Sequence, residues 1–333
     1  NQSINQVSLS FIVPVYNVEQ YLCECLDSLI HQNIDKEIIV INDGSTDNSL
    51  AIAMEYFSRY PFITLINQHN KGLSAARNIG LKAARGRYVY FIDSDDYVVE
   101  RHFDAIIDLA DKYQVDVLNG LRRHFSEQDP EGYLRPPESP NLKKPNDWEL
   151  IDGYTHFDRM LKRDWAPGIH YSIFRTKFLR QHHISFPEGL TAEDTPFTID
   201  VYTANENVRV IEINREFYRY RQRANSITTT VNNSTLLKDI FSVCEILDKR
   251  VGGFNHRIKA MSDPELQAKY HKIRFNIIRV AAIMYGIAYR YQYLKFSPTL
   301  REQTKHYFAP QIVQFMQQYL PYKVDLDLLQ NQE

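Results

Sequence analysis

Three carboxylates fall within four residues at Asp93-Ser94-Asp95-Asp96, directly after the apolar run Tyr88 to Ile92. Groups so close repel one another, and something positive must offset them. Mg²⁺ or Mn²⁺ would do so, because hard cations prefer carboxylate oxygens and often bridge to a diphosphate. An acidic turn that caps the next helix contains the same residues without a metal, and this cluster alone leaves both readings open. In Asn42-Asp43-Gly44-Ser45-Thr46-Asp47, Asp43 can accept a hydrogen bond from a base or ribose, and Gly44 lets the backbone approach a ligand. Ser45 to Asp47 read as a plain helix cap. The stretch Asn70 to Asn78 sets Lys71 and Arg77 near a helix start, where backbone N–H groups favour anions. Arg77 reads equally as a surface arginine paired with a carboxylate. Glu193-Asp194 follows the turn Phe186-Pro187-Glu188-Gly189, and an acidic pair suits a helix start. Tyr218-Arg219-Tyr220-Arg221-Gln222-Arg223, followed by Asn225-Ser226-Ile227, has the cations and rings to hold a phosphate or stack on a base.

Strands and helices must bring these clusters together. Leu9 to Val13, Glu37 to Ile41, Phe62 to Ile66 and Tyr88 to Ile92 read as short buried strands. Asn17 with Gln20 resembles a capping box for a helix whose Leu22, Cys25, Leu26, Leu29 and Ile30 share one face. A second helix starts at Ser45 to Asp47 and stops before Pro61. A third spans Leu73 to Ala84, with Gly86 placed to end it. This alternation predicts right-handed crossovers and a parallel sheet, which binds ligands beyond the carboxyl ends of its strands near the switch in strand order. Tyr16-Asn17, Asn42 to Ser45, Gln68 to Gly72 and Asp93 to Asp96 all follow strands, so they should share one end. The proline-rich stretch 127–147 reads as an irregular insertion. Helical spacing returns after Leu236 and again from Leu266 to Leu294.

Composition narrows the class. The 333 residues are 44% apolar and 24% charged with a net charge of −2, an ordinary globular balance that argues against a chain coating nucleic acid. The 22 Tyr and 18 Phe suit ligand grooves and interfaces. The 3 Cys imply no disulfide framework and a reducing compartment. Cys23 and Cys25, two apart on a helix, point to different faces, which argues against a metal pair. No charged start precedes an apolar stretch, so no signal peptide is expected, and Val280 to Tyr289 is too short to span a bilayer. Neither G-x-G-x-x-G nor G-x-x-x-x-G-K-[ST] occurs, which argues against a dinucleotide cofactor and a P-loop. His102, His170, His182 and His183 are candidate metal or acceptor contacts, but read more simply as ordinary surface or helix-end histidines. Trp165 reads equally as core or as the wall of an acceptor groove.

Taken in order, Phe11-Ile12-Val13-Pro14-Val15-Tyr16-Asn17, Val40 to Asp47, Asn70 to Asn78 with Gly80, and Asp93 to Asp96 resemble the family 2 glycosyltransferases. The likeness covers about the first hundred residues and resumes at Glu193-Asp194-Thr195-Pro196-Phe197. It implies an α/β GT-A fold: a Rossmann-like, mostly parallel sheet flanked by helices, with a helical C-terminal appendage. The implied catalytic domain is 1–230, with a nucleotide half 1–120 and an acceptor half 121–230; residues 231–333 form a mostly helical region. The resemblance implies inverting transfer of a hexose or N-acetylhexosamine from a UDP-sugar, with Mn²⁺ or Mg²⁺, to a bacterial surface glycan or a lipid-linked saccharide. By position, Pro14, Tyr16 and Asp43 would line the uracil pocket with Glu19 beside them, and Arg77 would contact the nucleotide. Asp93 would hold the ribose or join Asp95 at the metal, while Ser94 and Asp96 would support the donor sugar or its loop. Asp194 would be the general base, with Glu193 beside it. Arg221, Arg223 and Ser226 would face the diphosphate.

Two other classes share parts of this pattern. A sugar nucleotidyltransferase should carry a glycine- and basic-rich loop where Pro14 to Asn17 stand. A silent sugar-binding or scaffold protein should lack Asp95 or Asp194, and both are present. Between Lys249 and Pro310 there are 12 Lys or Arg against 3 Asp or Glu, interleaved with tyrosines. This region reads as a face that rests on an anionic membrane. A solvated helical appendage, or a homodimer contact, is the simpler account. A cytoplasmic protein, peripheral on the inner face of the cell membrane, is the location these readings imply.

Overall fold

The computed structural model describes residues 7–135, 140–163, 167–223 and 234–320. The chain forms two compact units. The first comprises Asn1–Arg159, Ala166–Gly189 and Asp200–Arg223; the second comprises Met160–Trp165, Leu190–Ile199 and Ala224–Glu333. Glu193 and Asp194 belong to the second unit.

The first unit is a ten-stranded mixed sheet. Its strands are β1 (Leu9–Val15), β2 (Lys36–Asp43), β3 (Ile63–Gln68), β4 (Tyr88–Phe91), β5 (Tyr97–Val98), β6 (Val117–Phe125), β7 (Tyr133–Arg135), β8 (Trp148–Asp152), β9 (Ser172–Arg175) and β10 (Arg209–Arg221). Its helices are α1 (Leu22–Ile30), α2 (Ser49–Arg59), α3 (Leu73–Ala83), α4 (Phe103–Lys112), α5 (Gly153–Arg163), α6 (Thr176–Gln181) and α7 (Asp194–Tyr202), of which α5 and α7 have residues in both units. The order is β3-β2-β1-β4-β9-β6-β10-β5, with β7 beside β6 and β8 beside β10. The first four strands pair in parallel. The expected parallel sheet ends there, because β9 runs antiparallel to both β4 and β6. Two reversals restore direction, so β6 points the same way as β4, and β10 pairs with β6 in parallel.

Every residue of β1 is buried, as expected for a strand covered on both faces. Phe11, Val13 and Val15 pack with Leu22, Cys25, Leu26 and Leu29 of α1 and Phe103 and Ile107 of α4. The opposite face meets α3 at Gly80, where a Cβ would lie 2.3 Å from Ile12 Cγ2; only glycine lets helix and sheet approach so closely. Cys23 is exposed and Cys25 buried, as their spacing predicts.

Three local expectations differ. α1 begins at Leu22 with no side-chain cap, so Asn17 is not its cap. α2 begins at Ser49, later than expected: Ser45 and Thr46 bond Asn17 in the loop, while Asp47 Oδ1 accepts from Ser49 N at 2.9 Å at the helix start. Gly86 does not end α3, whose cap is the extended Ala84; a Cβ on Gly86 would lie 2.6 Å from Ser10 N, so tight packing explains this glycine. The stretch read as irregular holds β7, which pairs with the longer β6, and ends just before β8, which pairs with β10.

The second unit contains α8 (Ser234–Ala260), α9 (Pro264–Ile287), α10 (Pro298–Thr304) and α11 (Pro310–Tyr319). Asp263 caps α9 by accepting from Glu265 N, with Pro264 at the first turn. Phe241, Tyr285 and Phe308 pack edge to face. Among the described residues no helix is long and apolar enough to cross a membrane.

Candidate functional site

The strand order changes direction between β1 and β4, and the polar residues that follow β1, β2, β3 and β4 lie at that end of the sheet. Asn17, in a left-handed conformation at φ 51°, ties the first two loops together. Its Oδ1 accepts from Thr46 N at 2.8 Å, and its own N–H donates to Ser45 Oγ at 3.1 Å. Glu19 Oε2 accepts from Asn48 N at 2.9 Å, so Glu19 braces the start of α2. Pro14 is buried in β1, and Tyr16 stands out at 49% exposed.

Asp43, expected in the uracil pocket, is buried and serves the loop after β3. Its Oδ1 accepts from Gln68 Nε2 and Lys71 N, and its Oδ2 from Gly72 N, each at 2.8 Å. Gly72 has φ 91° and opens α3, a backbone conformation suited to glycine.

The acidic cluster after β4 is offset by the chain's own donors. Arg77 Nη2 donates to Asp93 Oδ1 at 2.9 Å, and His170 Nε2 lies 2.7 Å from Asp93 Oδ2. Burial raises the Asp93 pKa, but His170 and Arg77 outweigh it and hold the carboxyl well below the usual range. Asp96 is buried and accepts from Tyr218 Oη at 2.8 Å and Arg221 N at 2.7 Å. Arg223 Nε donates to Asp95 Oδ2 at 2.8 Å, and Arg221 Nε to the Asp95 carbonyl at 2.9 Å. Burial first, then the charge of Asp93, raises the Asp95 pKa. Burial with Asp95 and Asp93 raises that of Asp96 further. Arg221 also pairs with Glu24 and lies over Tyr21 and Phe125.

Several expected ligand contacts thus have partners within the protein. Arg77, only 1% exposed, acts on the site through Asp93, because α3 buries it against Phe186. Ser94 and Asp96 are buried; Asp93 and Asp95 are exposed to the same degree, but both Asp93 oxygens are engaged, whereas Asp95 is paired through Oδ2 with Arg223. Arg221 and Arg223, expected at a diphosphate, hold the acidic loop. Ser226 and Trp165 lie outside the described residues. In the second unit, Asp194 opens α7 and Glu193 is buried. Thr191 donates to Asp239 through N at 3.0 Å and Oγ1 at 2.8 Å, and Ala192 takes φ 66°.

His170, a candidate metal or acceptor contact whose simpler reading is a surface histidine, is 6% exposed and bonded to Asp93. No local pattern marks it, since 77 residues separate the pair. Tyr218, which bridges Asp96 and the Asp93 N–H, belonged to a noted cluster but not to the expected site.

A divalent cation has one candidate carboxylate here, Asp95. Among the described residues no three His, Cys, Asp or Glu side chains form a metal-holding group. Burial and the charge of Asp93 raise the Asp95 pKa, and its Oδ2 is paired with Arg223. One such carboxylate fits an ion held mostly by diphosphate oxygens and water, the usual state of Mg²⁺.

A mixed α/β sheet whose first four strands are parallel, with an acidic cluster at its switch point, belongs to the open α/β class, in which ligands bind at that end. Residues 10–182 match the family Glycosyl transferase family 2, and the chain belongs to that family. It is similar to the uncharacterized glycosyltransferase EpsJ of Bacillus subtilis, at 37% identity over 66% of this chain and 62% of that one. It is also similar to glycosyltransferase GlyA of Streptococcus pneumoniae, at 34% identity over 66% of this chain and 31% of the other. The chain thus spans less than two thirds of either relative. In fold it matches S. aureus TarS 1–349 in complex with UDP-GlcNAc, with a TM-score of 0.63, 21% identity, and coverage of 94% of this chain and 81% of that one.

Proposed function

We propose that the chain is an inverting glycosyltransferase. It moves a hexose or N-acetylhexosamine from a UDP-sugar to a hydroxyl of a growing bacterial surface glycan by single displacement. The observation that carries this reading is Asp95, a partly exposed carboxylate after β4, beside the β1/β4 switch point, with Arg223 on one of its oxygens. The match in fold to a protein in complex with UDP-GlcNAc supports the choice of donor. Tyr16, exposed after β1, offers a ring face for uracil. Asp43 shapes the neighbouring loop through its three accepted hydrogen bonds. Asp95 holds the divalent ion; Mn²⁺ or Mg²⁺, when bound, neutralises charge on the departing diphosphate. Arg223, already at Asp95, supplies a further cation to that side. Asp194 accepts the acceptor hydroxyl's proton as that oxygen attacks from the face opposite the leaving group.

The test is release of UDP from a panel of UDP-sugars with purified protein, with and without Mn²⁺. Chelation should abolish turnover, and Asp95→Asn should lower it by roughly 10²–10³-fold, the equivalent of several kcal/mol of charge stabilisation. Full turnover in EDTA would remove the metal from the reading. No turnover with any donor would remove the reading itself.

The basic region 249–310 is proposed to rest on an anionic membrane surface, which would place the protein on the inner face of the cell membrane. Tyr291 is 56% exposed, with Lys295 over its ring at 5.4 Å. Rings and cations presented together suit a headgroup layer. Liposome flotation should rise with the fraction of anionic lipid; flotation independent of it would eliminate this location.

A further inference from the structure

Next to the acidic cluster, β6 and β10 carry a second polar group that the transfer reading does not use. Arg122 and His124 of β6 stand in register with Tyr218 and Tyr220 of β10. Arg122 is 6% exposed and His124 9%. The guanidinium lies 5.5 Å from the Tyr171 ring and 5.7 Å from that of Tyr220, and no carboxylate pairs with it. Its Nε, both ring nitrogens of His124, and Nδ1 of His170 are shielded without a hydrogen-bond partner. The His124 ring stacks on exposed Tyr133 at 4.8 Å, and Tyr220 links it to His170 at 5.7 Å. Buried polar groups are normally satisfied, and a buried cation normally has a counter-charge. Here four nitrogens and one positive charge lack theirs in one small region.

Asp96, Asp93 and Asp95 act on Tyr220 from the side of the acidic cluster, but among the described residues none of these carboxylates pairs with Arg122, and the groups acting on His124 are cationic. Burial first, then Arg122, Arg135 and His170, push the His124 pKa down to about 3. That ring is therefore neutral near pH 7 and offers one donor and one acceptor. A neutral sugar would satisfy the hydroxyl partners but leave Arg122 uncompensated. An oxyanion satisfies both needs, and a guanidinium matches phosphate and carboxylate alike.

We propose that Arg122, His124 and His170 form an oxyanion subsite beside the acidic cluster, taking a phosphate or carboxylate carried by the acceptor. That the acceptor carries this anion rests on the transfer reading; the anion preference itself does not. His170 joins the two sites, since its Nε2 holds Asp93 and its Nδ1 faces no partner.

The experiment is calorimetric titration of the full chain with three probes of matched length: a glycerol phosphate trimer, a hexuronate trisaccharide and a neutral hexose trisaccharide. UDP is titrated in parallel. One anionic probe should bind at least about 10-fold tighter than the neutral one, and which one does so identifies phosphate or carboxylate. Arg122→Gln should remove that preference and leave UDP affinity unchanged, while Arg122→Lys should restore part of it. His124→Phe keeps the ring stack and removes both nitrogens. It should lower anionic affinity about 3–10-fold, and it serves if Arg122→Gln fails to fold. Equal binding of all three probes overturns the subsite, as does a preference that survives both Arg122→Gln and His124→Phe. Parallel loss of UDP affinity in folded Arg122→Gln puts the oxyanion on the donor and overturns the acceptor assignment. Binding of an anionic probe by a wild-type chain that ignores UDP would refute the donor reading and leave the subsite standing.

Discussion

Asp194→Asn is expected to lower glycosyl transfer by roughly 10²–10⁴-fold, the usual worth of a general base, while UDP binding stays unchanged. A sugar nucleotide already carries a good leaving group, so single displacement needs one carboxylate to take the proton from the attacking hydroxyl. Asparagine keeps the shape and hydrogen bonding of the side chain but cannot accept that proton. Asp194 opens α7, and the preceding loop is anchored where Thr191 donates twice to Asp239 of α8. Ala192 holds a left-handed conformation at φ 66°, which costs about 1–2 kcal/mol for a residue with a Cβ. A backbone held against that cost positions the following residues tightly. Product formation with saturating donor, set beside calorimetric UDP binding, separates chemistry from affinity. Wild-type turnover in Asp194→Asn would end the assignment. Parallel loss of UDP affinity would make Asp194 a donor-site residue instead.

Arg77→Met should destabilise the first unit by about 3 kcal/mol. Removing one partner of a buried ion pair strands the other, at a cost of about 3–5 kcal/mol. Asp93 keeps His170, which puts the expected loss at the low end. Adding Asp93→Asn to Arg77→Met should recover part of the loss, and the double-mutant cycle measures the coupling. The same pair sets an acid limb. The folded pKa of Asp93 is depressed because His170 and Arg77 outweigh burial. Its contribution is therefore complete above the ordinary aspartate value of 3.8 and is lost as pH falls from there towards the folded value. Arg77→Met should lose less stability than wild type across that acid window. Urea midpoints measured against pH would show it, and superimposable acid limbs would contradict the pairing.

Much of the site was legible because strand ends are legible. Apolar runs bounded by Pro14, Asn42 and Asp93 locate the ends of β1, β2 and β4 to within one or two residues. Their alternation with helices requires those ends to face one way. Cap positions were less legible. Asn17 and Ser45 are types that cap helices, but the same side chains can bond a neighbouring loop equally well, and here they join two loops. The tasks of Arg77 and Asp43 were least legible, because a charged side chain near a ligand site serves the ligand or the scaffold with the same chemistry.

The amino-acid sequence by itself determined the α/β alternation, the parallel strands β1 to β4, the acidic cluster at their carboxyl ends and the membership of a glycosyltransferase family, since all of these depend on periodicity and spacing within short stretches. Tertiary structure alone decided which partner each carboxylate meets. Asp93 meets His170, 77 residues away, and Asp96 meets Tyr218, 122 residues away. Arg223, 128 residues from it, pairs with Asp95. The physical reason is that two reversals through β9 return β6 and β10 to the direction of β4, and no local pattern encodes which distant cation or hydroxyl that path delivers.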